Sequence, residues 1–198
     1  MTRAVFLDRD GTLIDVVRDE EAGIISVAFH PDQLRLLPGV AEGLRALAGA
    51  GYVLAIASNQ PGPAKGQFSA AAVKRTNDAL VAMLAREGVT IAKVAICMHH
   101  PSGGAGGDPS LVGPCACRKP LPGLLDDLST ELGVDRAASW MVGDSRGDVE
   151  AGRAANVKTA LLFSRDRCEL CPLRGGPAGS PDISGATFAE ITKAILGA

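Results

Sequence analysis

The chain has 198 residues, 46% apolar and 21% charged, which suits one soluble domain spanning 1–198 with a substantial buried core. A formal net charge of -2 argues against a nucleic-acid partner, and no apolar run approaches the roughly 20 residues that would cross a bilayer. Five Cys, an odd number at close C-x-C and C-x-x-C spacings, read as reduced, metal-binding thiols rather than disulfides. The first apolar strand begins almost at Met1, leaving no room for a signal peptide, so a cytoplasmic monomer is expected.

Residues 3–8 (RAVFLD) read as a buried strand ending on an acid. Residues 39–51 carry Val40, Leu44, Leu47 and Ala48 on one face of a helix closed by Gly51. Residues 52–58 (YVLAIAS) form a second strand, followed by a Gly/Pro-rich loop at 59–66. Ser69 is the expected N-cap of a helix running to about residue 88, with Val73, Leu80, Met83 and Leu84 inward. A third strand at 94–98 leads into a loop, 100–114, too rich in Gly and Pro for regular structure. Residues 121–132 place Leu121, Leu124, Leu125, Leu128 and Leu132 at helical spacing. Strands at 140–143 and 158–163 flank a helix near 148–155, and a last helix covers 187–196.

Alternating strands and helices predict an α/β fold with a mostly parallel central sheet covered on both faces. Ligands of such sheets bind outside the carboxyl ends of the strands. Asp8, Ser58, His99 and Asp144 all fall at or just past such ends, so they are expected on one rim.

The strongest chemical signal is Asp8-Arg9-Asp10-Gly11-Thr12. If the first strand persists for two more residues, alternation puts both carboxylates on the same side, and Gly11 then permits a tight turn. Close carboxylates need a compensating cation, most simply Mg²⁺. Asp144 is the natural third acid, Ser58 a hydrogen-bond donor for a phosphate oxygen, and Lys119 a fixed positive charge. Displacement at phosphorus needs such a set. Taken singly, each residue is as easily a turn, a helix cap or a surface charge. Four motifs in this order on strand ends are not.

The Asp-x-Asp-Gly-Thr opening, the strand into Ser58-Asn59-Gln60, Arg118-Lys119-Pro120, and Gly143-Asp144-x-x-x-Asp148 together resemble the haloacid-dehalogenase-like phosphatases. The resemblance implies a Rossmann-like three-layer sandwich and a phosphoryl-enzyme on Asp8, with Asp10 as general acid and base. It further implies Mg²⁺ on Asp8, the Asp10 backbone carbonyl and Asp144, with Asp148 behind them. Ser58 and Lys119 would hold the phosphoryl group, and Asn59, Gln60 and Lys65 would lie along the substrate.

Cys97-x-His99, a 15-residue loop, and Cys115-x-Cys117 supply three thiolates and one imidazole, the donor set of a closed structural Zn²⁺ site. A loop this rich in Gly is expected to depend on the metal for its order. Cys97-x-His99-His100-Pro101 with Cys115-x-Cys117-Arg118-Lys119-Pro120 is similar to the small branch of the family that lacks a cap domain and acts on sugar phosphates or histidinol phosphate. There the zinc loop shapes the entrance, and Arg118 would meet a polar group or second phosphate of the substrate. The chain departs from the sugar-phosphate members at Arg18-Asp19-Glu20-Glu21 in the flap and at Ser145, where Lys is usual. A second pair, Cys168 and Cys171, reads as free thiols. The rival class is a zinc-stabilised binding module with a dead site; the joint presence of Asp8, Asp10, Ser58, Lys119 and Asp144 argues against it.

Overall fold

The computed structural model describes residues 2–19, 21, 23–163 and 180–198. Its centre is β1 (Arg3–Leu7), whose side chains alternate between two apolar layers. Val5 and Leu7 join one buried cluster, and Ala4 and Phe6 join another. This period-2 split explains why the run is apolar throughout: a strand covered on both faces has no solvent side.

Around β1 the sheet adds β4 (Tyr52–Asn59), β5 (Lys93–Cys97), β6 (Trp140–Gly143), β7 (Lys158–Leu162) and β8 (Ile183–Gly185), in the spatial order β5-β4-β1-β6-β7-β8. Every pairing is parallel; Phe6 lies opposite Ala55 on one side and Met141 on the other. On one face pack α1 (Val40–Gly49), α3 (Ala70–Arg86) and α6 (Phe188–Leu196), through Leu44, Leu47, Leu80, Leu84, Phe188 and Ile191. On the other lie α4 (Gly123–Leu132) and α5 (Arg146–Ala154), through Leu124, Leu125, Leu128 and Ala151. The result is the expected three-layer α/β sandwich.

The chain leaves β1 for β4 and β5 on one side and returns to β6, β7 and β8 on the other. The carboxyl end of β1 is therefore the topological switch point, where a crevice opens between diverging connections. Among the described residues, the only paired strands outside the sheet are β2 (Val17–Asp19) and β3 (Ile24–Ser26), an antiparallel hairpin in the flap after β1.

Several elements differ from expectation. Ser69 caps α3 as predicted, its side chain accepting from Ala72 N. The helix predicted from residue 121 begins at Gly123, and Leu121 is 49% exposed. A residue before proline is disfavoured in the helical region, and Pro122 follows Leu121 directly. The hairpin strands and β8, three residues each, are too short to show a period, and so were not predicted. The short α2 (Gly62–Lys65) lies in the Gly/Pro-rich segment read as a loop, and a 3-10 turn at Pro109–Leu111 lies in the other. Cys168 and Cys171 lie outside the described residues.

Candidate active site

The β1 strand ends at Leu7, and Asp8 follows with its N–H donating to Val142 O at 2.9 Å across the β1–β6 gap. Lys119, delivered from the far side by the segment ahead of α4, is buried beneath it. Its ammonium donates to Asp8 Oδ1 at 2.8 Å, Ala57 O at 2.7 Å and Asp148 Oδ1 at 2.5 Å. Burial alone would push this lysine down, but Asp148 and then Asp8 outweigh it and hold its pKa above the ordinary value. Lys119 is thus a permanent cation placed between two acids.

Asp8, Asp144 and Asp148 each bring a carboxylate oxygen within 4.8 Å of the others. Asp148 is the fully engaged member: Lys119 holds Oδ1, while Ser145 N at 3.0 Å and Ser145 Oγ at 2.5 Å hold Oδ2 in a capping box at the start of α5. A cluster of hard oxygen donors fits a divalent cation such as Mg²⁺, which Asp8 and Asp144 would hold while Asp148 braces Lys119.

Asp10 is placed differently from the alternation argument. Because the strand stops at Leu7, the period-2 rule no longer applies, and Gly11 turns the chain with φ 83°. The Asp10 carboxylate is held by Arg9, Gln60 and the Ala28 N–H. Its Oδ2 accepts from Gln60 Nε2 at 2.7 Å and Arg9 Nε at 2.9 Å; its Oδ1 accepts from Ala28 N at 3.0 Å and Arg9 at 3.3 Å. Arg9 was not singled out in the sequence. It is fully buried, and its one signal was a basic residue directly between two acids at the end of an apolar strand.

The β4 end supplies the opposite wall. Ser58 is buried and accepts from Gln60 Nε2 at 3.2 Å. Gln60, expected along the substrate, is fully buried, and its amide faces Asp10, Ser58 and Arg9. Asn59 clamps the Lys119 peptide, donating to Lys119 O at 2.9 Å and accepting from Lys119 N at 3.1 Å. Both side chains hold the site's own parts in place.

A second cluster sits one strand away. Cys97, His99, Cys115 and Cys117 bring their ligand atoms within 4.8 Å of one another. Cys97 Sγ lies 3.8 Å from Cys115 Sγ and 3.7 Å from His99 Nδ1, and Cys117 Sγ lies 3.4 Å from that nitrogen. A tetrahedron with Zn–S of about 2.3 Å and Zn–N of about 2.0 Å has edges of roughly 3.5–3.8 Å. The cluster fits a zinc site, with Cys97–Cys117 at 3.1 Å the one compressed edge. Burial pushes the thiols of Cys97 and Cys117 up from their ordinary pKa. Gln60 N donates to Cys97 O at 2.7 Å, joining this cluster to the first. Arg118 donates to His99 O at 3.3 Å, so its guanidinium lies against the knuckle.

The loop of residues 100–114, between His99 and Cys115, also makes contacts of its own with α2. Asp108 N donates to Pro63 O at 3.0 Å. A Cβ at Gly104 or Gly107 would overlap the main chain of Lys65 or Ala64, so these glycines let the loop stack directly on α2.

Parallel sheet, switch point, clustered acids and buried lysine define a Rossmann-like α/β protein with a site suited to phosphoryl transfer. The HAD-hydrolase-like family model matches residues 116–165, covering the Lys119, Asp144 and Asp148 segments. Over 192 residues, 97% of this chain, it is 33% identical to the D-glycero-beta-D-manno-heptose-1,7-bisphosphate 7-phosphatase of Yersinia pestis, of which 94% is covered. It is 35% identical to the protein of that name from Escherichia coli (strain K12), over 97% of this chain and 93% of that one. The crystal structure of the D,D-heptose 1,7-bisphosphate phosphatase from B. bronchiseptica, complexed with magnesium and phosphate, superposes with a TM-score of 0.77 at 29% identity, covering 99% of both chains. The chain belongs to the haloacid-dehalogenase-like phosphatases, a family of phosphomonoester hydrolases.

Proposed function

We propose that this phosphatase removes the 7-phosphate of a D-glycero-D-manno-heptose 1,7-bisphosphate through a phosphoryl group carried on Asp8. The carrying observation is the near-full-length likeness to relatives named for that activity, in a chain whose Asp8, Lys119, Asp144 and Asp148 meet at the switch point. Asp8 attacks phosphorus, the bond to the sugar oxygen breaks, and that oxygen takes a proton from Asp10. Asp10, now ionised, removes a proton from the water that attacks phosphoryl-Asp8, releasing phosphate and restoring the carboxylate. Ser58 and Lys119 hold the equatorial oxygens. Asp8, Asp144 and the Asp10 backbone carbonyl would hold Mg²⁺, which would supply charge neutralisation at the phosphoryl oxygens.

Zinc on Cys97, His99, Cys115 and Cys117 fixes the loop, and Arg118 beside it meets the substrate's second phosphate or polar groups. Asn59 and Gln60 act by holding Lys119 and Asp10. The substrate is small and phosphorylated, and a cytoplasmic monomer is the working state; no described helix is long and apolar enough to cross a membrane. The test is a Mg²⁺-dependent phosphate-release screen across sugar mono- and bisphosphates with histidinol phosphate included. Highest kcat/KM on heptose 1,7-bisphosphate supports the assignment. Preference for histidinol phosphate, or no turnover of any phosphate ester, overturns it.

A further inference from the structure

Arg9 is the least expected residue in the core. It is fully buried at the middle position of Asp8-Arg9-Asp10, where a charge is costly unless it is paired. Its guanidinium meets four partners. Nε and a terminal nitrogen grip both oxygens of Asp10 side-on, at 2.9 and 3.3 Å. Asn77 Oδ1 of α3 accepts at 2.8 Å, Gln60 Oε1 at 2.8 Å and Ala28 O of the flap at 2.5 Å. The same Ala28 donates its N–H to Asp10. One planar group thereby ties three other pieces of the chain to a single carboxylate.

We propose that Arg9 is a positioning residue that fixes the orientation of the Asp10 carboxyl and makes that orientation depend on the flap being seated at Ala28. The assignment rests on the reading of Asp10 as the proton-transfer group. The argument is geometric. A guanidinium holds both oxygens of a carboxylate in one plane, which an ammonium of the same charge cannot do. Misplacing a catalytic group by about 1 Å costs on the order of 10²-fold in rate. Departure of an alkoxide needs the proton from Asp10, whereas departure of p-nitrophenolate hardly does.

The test compares Arg9→Lys and Arg9→Met, alone and combined with Asp10→Asn, on the sugar bisphosphate and on p-nitrophenyl phosphate. Both single variants are expected to lose about 10²-fold in kcat/KM on the sugar ester. On p-nitrophenyl phosphate the loss is expected to stay within about tenfold, and neither substitution adds to Asp10→Asn on the sugar ester. Rescue by Arg9→Lys, equal losses on both substrates, or full additivity with Asp10→Asn would overturn the proposal. Should the Arg9 variants not fold, Asn77→Ala removes one anchor of the guanidinium and carries the test: a smaller, sugar-selective loss supports it, and an unchanged ratio overturns it. If Asp10→Asn alone shows no such selectivity, the reading of Asp10 falls and Arg9 with it. Selectivity in Asp10→Asn but in no Arg9 variant sinks Arg9 alone.

Discussion

The two clusters on the rim solve the same problem by different means. At the end of β1, acids are crowded together but a protein cation, Lys119, stands between two of them, at 2.8 Å from Asp8 and 2.5 Å from Asp148. In the thiol cluster the sulfur and imidazole atoms face one another, with backbone N–H groups of His99 and Arg118 turned towards Cys97 and Cys115. The first site carries its own compensating charge; the second does not. A metal would share the work of compensation with Lys119 at the first and would carry all of it at the second.

The largest effect that could break this contrast lies at the nucleophile. Asp8→Asn should lower kcat by on the order of 10⁴-fold with an unchanged melting profile, because an amide cannot take the phosphoryl group. Retention of a few per cent of activity in a steady-state assay would end the covalent reading. Next comes Lys119→Met, which leaves Asp8 and Asp148 facing each other without a cation. A loss of about 3–5 kcal/mol in urea unfolding is expected, with part of it recovered by millimolar Mg²⁺. An unchanged midpoint would show that Lys119 does not hold the acids together.

Cys117→Ser probes the other side of the comparison. Arg118 and the loop mouth should loosen while the strand ends keep Asp8 and Asp144 in place, so kcat/KM for the sugar bisphosphate should drop by about 10²-fold and that for acetyl phosphate far less. Equal losses in a folded variant would reduce the loop to a stability element. The smallest effect concerns pH. Burial raises the Cys97 and Cys117 thiols above their ordinary pKa, so zinc must displace their protons near neutrality. Zinc affinity measured by chelator competition should fall steadily from pH 8 to pH 6, and a flat profile would mean that other groups hold the metal.

The parts legible in the sequence share one property: their signal is local. Ser69 followed by an apolar period, or Val5 and Leu7 against Ala4 and Phe6, reveal themselves within a few residues. Asp8, Asp144 and the thiols were legible because position after a strand, or spacing within a motif, is itself local. Arg9 was not, since its partners at Ala28, Gln60 and Asn77 are brought in by three separate elements. The alternation argument for Asp10 did not apply, because it needed β1 to run on to Asp10 and the strand stops at Leu7, where the Val142 carbonyl and the Gly11 turn take over. The role of Gln60 was missed for the same reason as Arg9. A buried amide and a substrate-facing one look alike until the neighbours are known.

The stacking of the loop on α2 sets a dimension. Gly104 and Gly107 leave nothing between the two main chains, so the separation there is one van der Waals thickness and has no smaller value. The loop and α2 already approach as closely as two main chains can, and any side chain added in this patch can only force them apart. Variation that keeps this joint must therefore keep both glycines, whereas a loop that is to stand off from α2 needs only a single added methyl group.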